Sequence, residues 1–375
     1  MSAVDSVVDV ADLESDPDGV YARLRRDDPV ARVPSLDLWL VTRWADVRRV
    51  LSSPDSFATA YPSTVAQICG QDTMLATEGD RHAELRAALD DHFSPEMVPA
   101  LVETTGAIAA EHAAALSGRD GAELMTEYFR PVLGSALGRF LGLGDLDPAT
   151  LLHWSEDLLD GFDNPTGDPD RRRRAEATAR EVASALRPLV DHPNGPLSVL
   201  VRRSPTDLLP TLVNIVSALA EPVTAAGSTL LELLRHPDQL RAVHTNPNRL
   251  RDAVREGLRL RPPVATLGRV TTRPVTLAGR DLPEGAVIAA AVASANRDED
   301  IYDNANHFDI DRPALPNTGL GYGRHRCLAA AVLPAVIATT LRALLTRVGP
   351  PLLTDDARPY GWKVRKLDTL KVRLT

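Results

Sequence analysis

Gly319-Leu320-Gly321-Tyr322-Gly323-Arg324-His325-Arg326-Cys327-Leu328-Ala329 decides how this chain is read. Its three glycines at alternate positions make a loop that can hug a flat ligand, because a residue without Cβ accepts positive φ and lets backbone N–H groups come close. Cys327 closes the loop, and the apolar run Leu328 to Leu345 predicts a helix starting beside the sulfur. A helix N-terminus there would favour the anionic sulfur, the form that binds a metal. The plain alternative is a small buried hydrophobe, the common fate of an unpaired cysteine.

The stretch resembles the haem-ligand loop of the cytochrome P450 family, Phe-Gly-x-Gly-x-His-x-Cys-x-Gly, with Cys327 on the axial thiolate. Leu320 stands where that family usually has Phe, and Ala329 where it usually has Gly. Both flank the sulfur, where packing and hydrogen bonding tune the iron. The resemblance implies haem b as cofactor and Cys327 as its metal ligand. It spans roughly residues 29–375.

The bulk numbers narrow the function classes. A formal charge of −9 argues against nucleic acid, whose phosphates call for a basic surface. Two cysteines, Cys69 and Cys327, make no disulfide framework, so Cys69 is expected alone and reduced, as in the cytoplasm. Residues 1–30 are acidic throughout and hold no apolar run of signal or membrane length, which predicts a soluble protein. Lysine occurs only at 363, 366 and 371, a bias read as a GC-rich bacterial source without chemical meaning.

Two short strands are expected between Pro29 and Thr42, then a helix over Arg43 to Leu51 that ends before Pro54. Ala58 to Thr73 lacks periodicity and reads as a loop, which by the resemblance covers the substrate. His82 and Arg86 lie one turn apart on the helix opened by Asp80. By themselves they read as an exposed pair; by the resemblance they bind a haem propionate. Pro99 to Val201 reads as nearly all helix, broken at Pro131, Asp145 to Pro148 and Asn164 to Gly167. Arg171 to Arg174 read as a solvated helix face. The connection Asp191 to Pro196 is short and would shorten the cover over the pocket.

Counting back from His236-Pro237 places Leu208 to Leu234 on the family's long central helix, where an acid and a threonine normally adjoin the bound oxygen. Here those steps are Ala220 and Glu221, followed by Pro222. Pro222 has no N–H and its ring crowds the preceding turn, so the helix should kink and free the Ala218 carbonyl for water or a substrate donor. Glu221 in an apolar pocket should be hard to ionise, which makes it a proton donor, or else a partner for a cationic substrate group. A Glu pointing out of the pocket is the plain alternative. Related peroxide-using enzymes have Arg-Pro near this step, so Glu-Pro should repel a fatty carboxylate.

Glu256-Gly257-Leu258-Arg259 precedes Arg261-Pro262-Pro263 and, with Arg312, resembles the buried Glu/Arg/Arg cluster that braces the haem loop. Val264 and Thr266, with Ala218, are expected to line the substrate, and Arg269 and His325 to bind propionates. Val270 to Leu277 and Ala286 to Ala293 alternate as strands.

The implied fold is mainly α with small β-sheets, residues 1–375 forming one domain. The implied function is a cytoplasmic haem-thiolate monooxygenase acting on a small natural-product intermediate with O2 and electrons from a ferredoxin and its reductase, away from nucleic acid and membrane. Two rivals stand: an oxidative cyclase, desaturase or coupling enzyme without oxygen insertion, and a non-catalytic haem or ligand binder.

Overall fold

A computed structural model describes residues 7–59, 63–164, 166–191 and 207–374. The short connection after Asp191 lies outside the described residues. The chain enters through α1 (Val10–Ser15) and α2 (Pro17–Asp27). Asp16 starts α2 by accepting from the Gly19 N–H, with Pro17 in the first turn, where its missing N–H costs nothing. The two expected strands are β1 (Val30–Val33) and β2 (Leu38–Val41), paired antiparallel with Val30 opposite Val41. The helix read after them is α3 (Trp44–Ser52), followed by β3 (Phe57–Ala58).

The stretch read as loop holds a helix, α4 (Thr64–Cys69), whose N-terminus is capped by the Ser63 hydroxyl accepting from the Ala66 N–H. Six residues are too few to show a helical period, so the cap was the signal. Next come α5 (Gly79–Asp90), α6 (Val98–Ala114), β4 (Gly121–Glu123), α7 (Arg130–Phe140), α8 (Pro148–Phe162) and α9 (Pro169–Asp191). Pro131 opens α7, and the other two predicted breaks fall on either side of α8. β4 interrupts a region expected to be helical because its partner strand lies some 250 residues on, beyond any local pattern.

The long apolar segment is two helices, α10 (Leu209–Ser217) and α11 (Glu221–Arg235), joined by a 3-10 turn over Ala218–Ala220. α12 (Pro237–Thr245) and α13 (Leu250–Leu260) follow. Then come β5 (Leu267–Thr271), β6 (Val275–Leu277), β7 (Arg280–Leu282), β8 (Val287–Ala290), α14 (Val292–Ala295), α15 (Leu333–Val348), β9 (Leu352–Leu353) and β10 (Lys371–Arg373). The strand expected over Val270 to Leu277 is split at Arg273-Pro274, and the one expected to reach Ala293 turns into α14.

A five-stranded sheet runs β1-β2-β8-β5-β3, parallel only between β2 and β8. α1 and α2 pack on one of its cores and α3 on another. The largest core is helical, with α11 at its centre: Ala226, Leu230, Leu231 and Leu233 are fully buried. α10 and α11 together have the length and hydropathy of a membrane span, but most of their surface is inside the protein, the position that makes a helix apolar all round. Gly257 lets α13 seat against α11: a Cβ there would stand 2.2 Å from Thr229 Oγ1.

Candidate active site

One cavity, of about 370 Å³, gathers Cys327, His82, Arg86, Arg269, His325, Ala218, Glu221, Val264 and Thr266 along its wall. The cysteine loop forms part of that wall. Thr318 fixes the loop's start, its N–H and hydroxyl donating to Asn296 Oδ1 at 2.7 and 2.9 Å, and the Cys327 N–H donates to the Leu320 carbonyl at 2.8 Å. Gly323 has φ of +74°, and a Cβ there would lie 2.3 Å from the Leu51 carbonyl oxygen, so only glycine fits between the loop and α3.

The helix expected to start at Leu328 does not. Leu328–Ala330 is a single 3-10 turn, and α15 begins at Leu333, with Pro334 in its first turn. A proline is accommodated there and not in a helix interior, so it sets the start. The sulfur therefore meets the Ala329 N–H of a short turn, and burial outweighs that contact. Burial first, then the Glu221 charge, push the Cys327 thiol up to about 11, so without a metal the sulfur is a thiol and not the thiolate that a helix start would favour. A thiol held this way loses its proton when it coordinates a metal.

At the edge of the cavity, the rings of His82 and His325 lie 4.1 Å apart. Burial, reinforced by the neighbouring His325, lowers His82 to about 4, and burial lowers His325 as well. His325 Nε2 lies 3.3 Å from both Glu78 Oε1 and Thr59 Oγ1. Arg86 is tied to the cysteine loop, donating to the Arg326 carbonyl at 2.6 Å. Arg269 is buried on β5 and donates to the Gly268 carbonyl. Two guanidinium groups and two imidazoles thus border an apolar chamber with Glu78 as the nearby counter-charge, a donor set suited to a flat, apolar ligand with anionic arms and a metal centre above the sulfur. The residues fit a haem.

At the Ala218–Ala220 turn the outcome differs from the expected free carbonyl. Pro222 withholds the N–H that would reach Ala218, but the chain tightens and the Glu221 N–H donates to that oxygen instead. The vacancy moves back one residue, to Ser217, whose carbonyl accepts from the Ser155 hydroxyl at 2.6 Å. The same oxygen of Ser155 accepts from the Ala220 N–H at 2.9 Å. Ser155, fully buried on α8, was not foreseen. Its signal was there: it sits on the apolar face of α8 with Leu151, Leu158, Leu159 and Phe162.

Beyond the turn, burial alone raises the Glu221 carboxyl to about 7. No group among the described residues hydrogen-bonds it. Glu221 also lines a second cavity, of about 440 Å³, with Thr126, Glu156, Asp160, Thr224 and Lys366 on its wall.

The Glu256 cluster forms as read. Arg259 donates to Glu256 from Nε and Nη2 at 2.8 and 2.7 Å, and Arg312 Nε donates to it at 3.0 Å. The two arginines also donate to the carbonyls of Asn296, Ala305, Asp303 and His307, which ties down the irregular segment leading to the cysteine loop. A knot that was not foreseen, Asp18 with Arg261, Arg297 and Arg365, pins α2 to the same region.

The mainly α fold and this cavity are those of a haem-binding protein. A family model described as Cytochrome P450 matches residues 224–329, from α11 through the Glu256 brace to the cysteine loop. Cytochrome P450 monooxygenase PikC of Streptomyces venezuelae is 29% identical over 374 residues, covering 93% of this chain and 87% of that protein. The 6-deoxyerythronolide B hydroxylase of Saccharopolyspora erythraea is 27% identical over 97% of this chain and 99% of that one. Among solved structures, CalO2 aligns with a TM-score of 0.86 at 27% identity over 97% of each chain. P450BioI in complex with hexadec-9Z-enoic acid ligated acyl carrier protein aligns at 0.89 and 22% identity, over 97% of this chain and 99% of that one.

The chain belongs to the cytochrome P450 family. It is a haem b monooxygenase, an enzyme rather than a passive binder, and takes an organic substrate, O2 and electrons from a redox partner.

Proposed function

We propose that residues 1–375 act as one catalytic domain, a cytoplasmic haem-thiolate monooxygenase that inserts oxygen into a small natural-product intermediate with electrons from a ferredoxin and its reductase. The observation that carries this reading is that Cys327 and Glu221 line one largely apolar cavity, close enough for the Glu221 charge to act on the sulfur. When bound, the haem supplies the oxidising chemistry, its thiolate ligand feeding electron density that favours O–O cleavage. Cys327 provides that thiolate, and His82, Arg86, Arg269 and His325 offer N–H donors to the propionates. Val264, Thr266 and Ala218 enclose the substrate and keep bulk water from it.

Glu221 takes the place of the usual acid–alcohol pair. Its carboxyl holds a proton up to near neutral pH and faces the cavity without a competing partner. The second cavity, also bounded by Glu221, supplies water and titratable groups on a polar wall, a route by which the carboxyl regains a proton once spent. The names of similar proteins, which include a hydroxylase and an epoxidase of cyclomarin C, support oxygen insertion. The replaced acid–alcohol pair favours a second reading, ring closure or desaturation without net oxygen. Turnover with a surrogate ferredoxin and reductase, read by product mass, tests both: added oxygen supports the first, loss of hydrogen alone the second, and no substrate-dependent turnover overturns both.

A further inference from the structure

The cavity wall carries one more charge, on the C-terminal segment. Lys363 is one of the chain's three lysines, at 363, 366 and 371. Its carbonyl accepts from the Ala265 and Thr266 N–H groups at 2.8 and 3.3 Å, and Val364 bridges to Val264, so the lysine is bound to the same segment that lines the substrate chamber. Its ammonium donates to the carbonyl of Phe162, the last residue of α8. Thr64 Oγ1 donates to that carbonyl as well, at 3.0 Å, and Thr64 and Ser63 also line the cavity. Lys363 therefore stands beside the Thr64 hydroxyl where α4, the end of α8 and the C-terminal segment meet.

An ammonium has three donors, and one is spent here. Among the described residues no carboxylate forms an ion pair with it; Asp163 is near enough to favour its charge, and burial works against that charge. A half-buried cation whose nearest carboxylate stands beyond ion-pair distance is costly, and an apolar residue would serve the α4–α8 packing better. Cys327 sits on the loop that α5 holds through Arg86, whereas Lys363 sits at the end of α8 beside α4, so the two mark different walls of one chamber. The chamber wall thus carries a carboxyl, Glu221, and an ammonium, Lys363.

We propose that Lys363 anchors a carboxylate carried on an apolar substrate body, orienting that carboxylate away from Glu221 and the opposite end toward Cys327. This rests on the cavity being the substrate site. It also limits the expected repulsion of carboxylates by Glu221 to the reacting end. Recognition takes two unspent ammonium donors, with the Thr64 hydroxyl beside them.

The test uses the haem-loaded protein and, as probes, octanoate, dodecanoate and hexadecanoate with their methyl esters, binding being read from the haem spin-state shift and by calorimetry. At least one acid should bind about tenfold more tightly than its ester, the worth of one charge-assisted hydrogen bond. Lys363→Gln should abolish the preference while leaving ester affinity unchanged, and Lys363→Arg should keep it. Equal binding of acids and esters to the native protein overturns the proposal, as does a Lys363→Gln protein that loses both in step, the result of a role confined to closing α8. If Lys363→Gln does not fold, the native comparison and Lys363→Arg decide. A thiolate spectrum with ester binding but no acid preference sinks this proposal alone. A missing thiolate spectrum, or no spin shift with any probe, sinks the reading of the site with it.

Discussion

Ser155 and Ala220 are joined by a hydrogen bond of 2.9 Å from the Ala220 N–H to the Ser155 hydroxyl oxygen, inside the break of the central helix. The same hydroxyl donates to Ser217, so one side chain from α8 satisfies both backbone groups that the break leaves open. The turn is thereby held in one shape, and Glu221, the next residue, is presented to the cavity from a fixed position. Ser155→Ala strands a half-buried N–H and a buried carbonyl. It should cost about 1–3 kcal/mol of stability, measured by denaturant unfolding, where Ser155→Thr keeps the hydroxyl.

Glu221 should set the pH dependence of coupling. The carboxyl is neutral below about 7 and charged above it, and only the neutral acid has a proton to give. The fraction of electrons ending in product should fall as pH rises through that value, with peroxide release rising in step. Glu221→Gln should leak peroxide at every pH and show no such inflection. Unchanged coupling in that variant removes Glu221 from proton delivery.

Glu256 is buried and accepts from two arginines and from the Asp309 N–H. Glu256→Ala leaves two guanidinium groups unpaired in the core. The expected loss is about 3–5 kcal/mol, with haem retention failing first because the segment before the cysteine loop is what those arginines hold. Thermal unfolding and the haem-to-protein absorbance ratio report the two effects separately.

Gly321 and Gly323 share a φ of +74°, but their surroundings differ. A Cβ at 321 meets nothing nearer than 3.5 Å, whereas at 323 it meets the Leu51 carbonyl at 2.3 Å. Gly321→Ala should cost about 1–2 kcal/mol of backbone strain. Gly323→Ala should cost more, since α3 has to move; haem occupancy after purification should rank native, Gly321→Ala, Gly323→Ala.

The parts of the fold legible in the sequence were those whose signal is local. The glycine-cysteine loop, the Glu256 and Arg259 spacing and the Glu221-Pro222 break each sit within a few residues. Where distant segments decide, the sequence was silent: β4 is a strand because of β10, and Asp18 has meaning only through Arg261, Arg297 and Arg365. Ser155 is a polar residue on an apolar helix face, a local signal whose partners, Ser217 and Ala220, lie more than sixty residues away. Lys363 is a rare residue type whose place on the cavity wall comes only from the fold. The apolar run after Cys327 hides the helix start, which Pro334 sets at Leu333.

The central claim, that the sulfur of Cys327 binds the haem iron, is tested by the reduced carbon monoxide spectrum of the purified protein and of Cys327→Ser. The native protein should show the red-shifted Soret band of thiolate ligation, and the variant should lose it. A native protein without that band, or a variant that keeps it, contradicts the account.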